Sequence, residues 1–152
     1  MCPHNLVEIS QMLIQKRSAH TDLKFNHMCV IMTKKGVPLS YGFNDYDIKT
    51  ETSIHAEVMA LKKLLQKKSI LGINRKIIGY LIVVRTNGNN SKPCNKCLEA
   101  FEKYSHIISL KNIYYTHEDE DCGIRKSSFK ELQEEPQHIC SYERYLRKIK
   151  QN

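Results

Sequence analysis

The feature that most constrains the fold is a nearly unbroken apolar run from Ile77 to Val84, within the segment 76–85, in which Ile, Leu and Val dominate. A strand with apolar side chains on both faces is typical of the middle of a sheet that is covered on each side. Segments with helical periodicity flank the run, one beginning near residue 55 and one at residue 93 or 94. Because a strand between two helices is the repeating unit of parallel, helix-covered sheets, the run predicts an α/β fold.

Other patterns complete this prediction. Periodicity and turn residues indicate helices over 5–17 and 141–150, strands over 27–33, 39–43 and 113–116, a turn at 34–36, and irregular chain over 44–54 and 87–91. A fifth strand over 124–129 would follow the fourth too closely for a crossover helix, so these two strands should be antiparallel. We therefore expect a three-layer α/β/α sandwich around a mixed central sheet of about five strands.

Length and composition indicate one soluble domain spanning residues 1–152. No apolar run is long enough to cross a membrane, so no membrane partner is expected. The first residues lack the basic and apolar stretches of a secretory signal, which favours an intracellular, cytoplasmic protein. In that setting the six cysteines are expected to be free thiols or metal ligands rather than disulfides.

The net charge of +8 favours phosphate-bearing partners such as nucleotides, RNA or DNA. The alternative is that abundant lysine only keeps the protein in solution. Charge alone does not separate these two interpretations.

Two short motifs carry the chemistry. His55-Ala56-Glu57 opens the second predicted helix, and Pro93-Cys94-Asn95-Lys96-Cys97 opens the third. One His and two Cys supply three protein ligands, and a zinc ion with three ligands keeps a fourth position for water. Glu57 is better placed to reach that water than to bind the metal, as a general acid/base requires. A purely structural zinc site is the alternative, but such sites usually close with a fourth Cys or His, and none stands nearby in sequence.

The order H-x-E followed by P-C-x-x-C resembles the cytidine deaminase-like superfamily, which deaminates nucleosides, nucleotides and nucleic acids through zinc. The resemblance covers residues 27–116. It implies one zinc ion per chain, with His55, Cys94 and Cys97 as ligands and Glu57 as the residue that moves protons during catalysis. Because many relatives build the pocket from neighbouring subunits, it also implies a homo-oligomer.

The substrate contacts are predicted from a third sequence element and from aromatic residues. Gly42-Phe43-Asn44 resembles a family element whose Asn contacts the sugar or the base, but Tyr46 stands where nucleoside deaminases carry a Glu. A turn residue is the alternative for Asn44, and core packing the alternative for the aromatic residues. The expected substrate-binding residues are Asn44, Phe43, Ala56, Ser91, Lys92, Pro93 and Tyr115.

Three functions remain open. The first is hydrolytic deamination of cytosine to uracil in a pyrimidine nucleoside or nucleotide, with release of ammonia. The second is deamination of cytosine or adenine in RNA or single-stranded DNA, and the third is a non-catalytic zinc-binding module. A second metal site is a further hypothesis, built from three other Cys and three His: Cys2, His4, His117, Cys122, His138 and Cys140.

Overall fold

The computed structural model describes residues 8, 12, 27–47, 52–85, 90–135 and 148–150. In chain order the elements are β1 (His27–Met32), β2 (Pro38–Phe43), β3 (Asp45–Asp47), β4 (Thr52–Ile54), α1 (Ala56–Ile70), β5 (Ile77–Arg85), α2 (Asn95–Lys103), β6 (Ile108–Thr116), β7 (Ile124–Ser128) and α3 (Phe129–Glu134). Glu8, Met12 and residues 148–150 are also helical, while the rest of the helices predicted over 5–17 and 141–150 lies outside the described residues.

Five strands form one mixed sheet in the order β2-β1-β5-β6-β7. β1 runs antiparallel to β2 and to β5, and β5 runs parallel to β6. β7 is antiparallel to β6, with Thr116 opposite Ile124. The α/β fold, the five-stranded mixed sheet and the direction of the last strand are therefore confirmed.

The apolar run became the central strand because both of its faces are buried. Leu81 and Val83 pack in a core cluster with residues of α1 and α2, whereas Ile82 and Val84 pack in a second cluster on the opposite face. All four side chains are completely buried. This double burial removes the polar alternation that an edge strand would need.

The structure differs from the sequence prediction in three segments. Residues 44–54 are not irregular throughout, since β3 and β4 pair as an antiparallel hairpin with Tyr46 opposite Ser53. β6 begins at Ile108 rather than at residue 113, because polar residues interrupt the apolar pattern in its first half. The sequence prediction also missed α3, although Ser128 and Glu131 form a capping box at its start.

The position of α1 depends on its contact with β2. A Cβ atom added to Gly42 would lie 2.6 Å from Ala60 N, and it would also collide with the carbonyl oxygen of Ala56. The hydroxyl of Ser40 donates a 2.8 Å hydrogen bond to Ala60 O. A residue without a side chain at position 42 therefore lets the first turns of α1 approach the sheet closely.

Candidate functional site

Two helix starts bring the predicted metal ligands together. His55 is the N-cap of α1 and Cys94 is the N-cap of α2, and both have extended backbone angles. Neither side chain caps its own helix. The imidazole and the thiol can therefore turn towards one another, with Cys97 one turn further along α2.

The three ligand atoms form a compact triangle. His55 Nδ1 lies 3.3 Å from Cys94 Sγ and 3.2 Å from Cys97 Sγ, and the two sulfur atoms are 3.7 Å apart. Tetrahedral zinc with bonds of about 2.3 Å to sulfur and about 2.0 Å to nitrogen requires edges of about 3.8 Å and about 3.6 Å. Because the sulfur–sulfur edge matches and the other two are only slightly short, one nitrogen and two sulfur donors suit a zinc ion.

Glu57 lies beside this triangle, in the first turn of α1. Its Oε2 is 3.6 Å from Cys97 Sγ, and the side chain is 5% exposed. Burial raises the pKa of this carboxyl, and the nearby Cys94 also raises it, while backbone hydrogen bonding and His55 act in the opposite direction. A carboxyl with a raised pKa takes up a proton more readily than an ordinary one, which suits a proton carrier.

The protonation of the ligands follows from their contacts in the metal-free chain. The hydrogen bond from Cys97 is the main reason that the pKa of Cys94 falls to about 4, against the effect of burial. The same contact and burial raise the pKa of Cys97 well above its usual value. The pKa of His55 is raised, chiefly by its hydrogen bond with Cys94. One sulfur of the pair is therefore already a thiolate, the form that binds metal.

The segment before Cys94 is held by a buried hydrogen-bond network, which we call the Ser91–Thr116 network. Ser91 Oγ donates to Val83 O at 2.7 Å and accepts from the backbone N–H of Thr116 at 2.8 Å and from its hydroxyl at 2.7 Å. Thr116 Oγ1 in turn accepts from the backbone N–H of Arg85 at 3.1 Å. The network joins the ends of β5 and β6 to the segment that carries the zinc ligands.

Several predicted substrate residues lie next to the metal ligands in the sequence. Ala56 and Pro93 are buried and directly adjoin His55 and Cys94, respectively. The Ser91 side chain is fully engaged in the Ser91–Thr116 network, so a substrate contact there would have to come from its main chain. Lys92 forms a 2.7 Å ion pair with Glu135.

Asn44 and the aromatic residues are placed differently. Asn44 lies at the end of β2, where its Oδ1 accepts a 3.1 Å hydrogen bond from the backbone N–H of His27. Tyr115 packs in the core cluster that contains residues of α1 and α2, so it shares the face of the sheet on which the zinc ligands lie. Phe43 packs with Met28 in the second cluster on the opposite face, so the structure does not bring its ring to the ligands.

The hypothesis of a second metal site finds no support among the described residues, where His55, Cys94 and Cys97 form the single cluster of potential ligands. His117 Nε2 lies 3.1 Å from Arg125 Nη1, and the exposed Cys122 donates to Ile124 O. Neither belongs to a group of metal donors. The other proposed members, Cys2, His4, His138 and Cys140, lie outside the described residues.

Sequence reasoning missed the residues that support the site. Cys29 is completely buried on β1, and its thiol donates a 3.5 Å hydrogen bond to Ala56 O beside the metal ligands. Thr116 stands 25 residues from Ser91, so no local pattern joins them. In the sequence, Arg85 is only the polar residue that ends the apolar strand.

The described part of the chain contains no helix with the length and apolar character needed to span a membrane.

Comparisons with solved structures agree with the fold. Cytidine deaminase from Burkholderia pseudomallei is 18% identical, covers 86% of this chain and 95% of its own, and superposes with a TM-score of 0.54. The dCMP deaminase of cyanophage S-TIM5, in complex with dCMP and dUMP, is 14% identical, with coverages of 77% and 84% and a TM-score of 0.53. At this identity the similarity shows a shared fold.

A third similar structure is cytidine deaminase from Mycobacterium tuberculosis, which is 15% identical, with coverages of 82% and 91% and a TM-score of 0.52. No curated protein sequence matches this chain significantly.

The family is shown by the sequence model for the cytidine and deoxycytidylate deaminase zinc-binding region, which matches residues 4–114. That span includes the three zinc ligands and Glu57. Zinc is the metal that this region binds, in agreement with the one nitrogen and two sulfur donors. The chain therefore belongs to the cytidine and deoxycytidylate deaminase family and is a zinc-binding deaminase.

Proposed function

We propose that this protein hydrolytically deaminates cytosine to uracil in a nucleoside or nucleotide. The observation that carries the proposal is the buried Glu57 carboxyl, which lies 3.6 Å from a ligand sulfur of a three-donor zinc site. A buried carboxyl is costly unless something compensates for its desolvation. A site that served only to hold metal would not need one there, which argues against a non-catalytic module.

The bond changes define what the residues must do. The oxygen of water forms a bond to C4 of cytosine, the bond from C4 to the exocyclic nitrogen breaks, and the products are uracil and ammonia. Two protons must move, one from water to the ring nitrogen beside C4 and one to the leaving nitrogen. When bound, zinc supplies the Lewis acidity that makes water nucleophilic near neutral pH.

Each proposed residue has one task in this reaction. His55, Cys94 and Cys97 hold the metal and leave one position open. The Glu57 carboxylate accepts the proton of the attacking water and delivers it to the ring nitrogen, and then assists the departure of ammonia. Asn44, held at the end of β2 by His27, and Tyr115 contribute to substrate binding. The main chain at Ser91 and Lys92, with Pro93 and Ala56, lines the position of the amine.

A second candidate is a deaminase that acts on RNA or single-stranded DNA. No acidic residue occurs between Glu57 and Glu99, while that interval contains nine Lys or Arg residues. Lys62, Lys63 and Lys67 are exposed on α1. This one-sided charge favours a polyanion. Acidic residues in the turns that follow β6, at Glu118–Asp121, act against it.

The test is to measure ammonia release from cytidine, deoxycytidine, CMP, dCMP, single-stranded DNA and RNA with wild-type protein and with Glu57→Gln. We expect the variant to keep its zinc and its melting temperature and to lose roughly 100- to 10,000-fold in kcat. Glu99→Gln removes a carboxylate from the exposed surface of α2 and is the matched control, with unchanged kcat. Full turnover by Glu57→Gln would contradict the mechanism, and activity on polynucleotides alone would favour the second candidate.

We also propose that the protein forms a homo-oligomer and that residues 1–152 fold as a single domain. Light scattering of the zinc-loaded protein tests the first. Limited proteolysis tests the second, with one protected fragment as the expected result.

A further inference from the structure

Arg85 is the last residue of β5 and lies between the two segments that frame the zinc site. On one side its partner in the antiparallel register is His27, whose backbone N–H is hydrogen-bonded to Asn44. On the other side its own backbone N–H donates to Thr116 Oγ1 in the Ser91–Thr116 network. Arg85 therefore pairs with the residue that holds Asn44, and its backbone is hydrogen-bonded to the support of the ligand segment.

Its side chain lies on the face of the sheet that carries the site. Successive side chains of a strand alternate between the two faces. Leu81 and Val83, two and four residues earlier, pack in the cluster that contains Ala56 of α1 and Leu98 of α2. Arg85 continues that row by one step, at the carboxyl end of β5, from which the chain leads to the start of α2.

The guanidinium of Arg85 has an unmet requirement for a hydrogen-bond acceptor. Its Nε is buried and has no hydrogen-bond partner among the residues that the structure describes. A buried donor without an acceptor is costly and rare in native proteins, so such a group calls for an explanation. A ligand that supplies an acceptor when it binds is one explanation that fits the position of this residue.

Three other cations of the described residues differ from Arg85 in this respect. Lys92 is paired with Glu135 at 2.7 Å, Lys96 with Glu99 at 3.5 Å, and Arg125 with Glu120 at 2.7 Å. No ion pair links Arg85 to a carboxylate in the part of the chain that the structure describes. Its positive charge therefore remains available beside the zinc site, whereas those of the other three are compensated.

We propose that Arg85 binds a phosphate group of the substrate, so that the preferred substrate is a cytosine nucleotide rather than a free nucleoside. This inference rests on the proposed function. A guanidinium stays charged at all physiological pH values, and its planar set of N–H donors matches two phosphate oxygens. Nucleosides carry no charge, so they cannot compensate this group in the same way. The phosphate belongs either to a mononucleotide or to a polynucleotide strand.

The experiment compares zinc-loaded wild-type protein with Arg85→Gln, Arg85→Lys and Arg75→Gln. Arg75 is an exposed arginine in the loop between α1 and β5, at the opposite end of β5 from Arg85, and it provides a control for the loss of one positive charge. KM and kcat are measured for deoxycytidine, dCMP, cytidine, CMP and a short oligodeoxycytidine. Zinc content and melting temperature confirm that each variant is folded.

We expect Arg85→Gln to raise KM for the nucleotides roughly 10- to 100-fold more than KM for the nucleosides, the range for losing a charge-assisted hydrogen bond. Arg85→Lys keeps the charge without the planar geometry, so its KM for the nucleotides should lie between the values of the wild type and of Arg85→Gln. Arg75→Gln should match the wild type. A selective loss with dCMP identifies a mononucleotide phosphate, and a selective loss with the oligonucleotide identifies a strand phosphate.

Equal changes for nucleosides and nucleotides, or no change for either, would overturn the role of Arg85. If the wild type deaminates none of these substrates, the proposed function fails separately. Calorimetric titration of wild type and Arg85→Gln with dCMP and with inorganic phosphate then decides the inference. Binding that is weaker in the variant supports it, and equal or absent binding in both proteins overturns it.

Discussion

Replacing Ser91 by Ala removes the atom at the centre of the Ser91–Thr116 network and leaves the backbone in place. Ser91 Oγ uses its single donor and both acceptor positions, at distances of 2.7 to 2.8 Å. The side chain is 3% exposed and Thr116 is 5% exposed, so water does not readily replace these bonds. The backbone hydrogen bond from Ser91 N to Thr116 O, at 3.0 Å, survives the substitution.

The size of the effect follows from these three bonds. A buried hydrogen bond contributes about 1 kcal/mol, so the substitution should lower the free energy of unfolding by about 3 kcal/mol. Because Ser91 precedes Cys94 by three residues, the loss should also loosen the ligand segment. We therefore expect faster loss of zinc to a competing chelator, measured with a chromogenic indicator, together with a lower midpoint of urea denaturation.

Thr116→Ser is the matched control, since it keeps the hydroxyl and removes only a methyl group. It should keep zinc as well as the wild type does and lose about 1 kcal/mol or less. If Ser91→Ala unfolds within 0.5 kcal/mol of the wild type, about the size of an ordinary surface substitution, the network does not stabilise the fold. Unchanged zinc retention would show that the ligand segment is held by other contacts.

Further predictions concern the support of the site and the metal itself. Gly42→Ala should lower the free energy of unfolding by at least about 3 kcal/mol and reduce zinc content, because the new Cβ would lie within 3.0 Å of both N and Cβ of Ala60. Urea denaturation measures the stability, and metal analysis measures the zinc content. A variant as stable as the wild type would contradict the close approach of α1 to β2. Removal of zinc should add the Cys94 thiolate to the thiols that react with a thiol reagent, and an unchanged count would contradict the ligand assignment. Ser128→Ala should cost about 1 kcal/mol through loss of the α3 cap, with unchanged zinc content, whereas a loss of metal would indicate a wider role for α3.

The metal ligands could be predicted from the sequence because their chemistry is local. His55 and Glu57 share one helix start, and Cys94 and Cys97 share another. The apolar run of β5 required that these two helices lie near one another, and the ligand triangle confirms it. Contacts formed between distant segments could not be predicted, since neither Ser91 with Thr116 nor Cys29 with Ala56 shares a local pattern.

The fold was predicted best where burial leaves a recognisable apolar pattern in the sequence. β5 has an unmistakable pattern because both of its faces are buried, whereas β6 carries Lys111 and Asn112 within its length, so its first half was not recognised. The β3–β4 hairpin contains Asp at two positions, a residue type that is disfavoured in strands, and depends on pairing across the loop. The start of α3 could have been predicted, since Ser128 and Glu131 have the spacing of a capping box in the sequence itself.

The placement of both ligand segments at helix starts has a consequence for the charge of the site. Two thiolates, from Cys94 and Cys97, cancel the two positive charges of zinc, and a neutral His55 adds none. Each helix N-terminus contributes about half a positive charge, so the starts of α1 and α2 together contribute about one. The carboxylate of Glu57 carries the matching negative charge. The two helix N-termini therefore supply part of the positive charge beside this carboxylate, and uptake of a proton by Glu57 would leave the zinc-loaded site net positive.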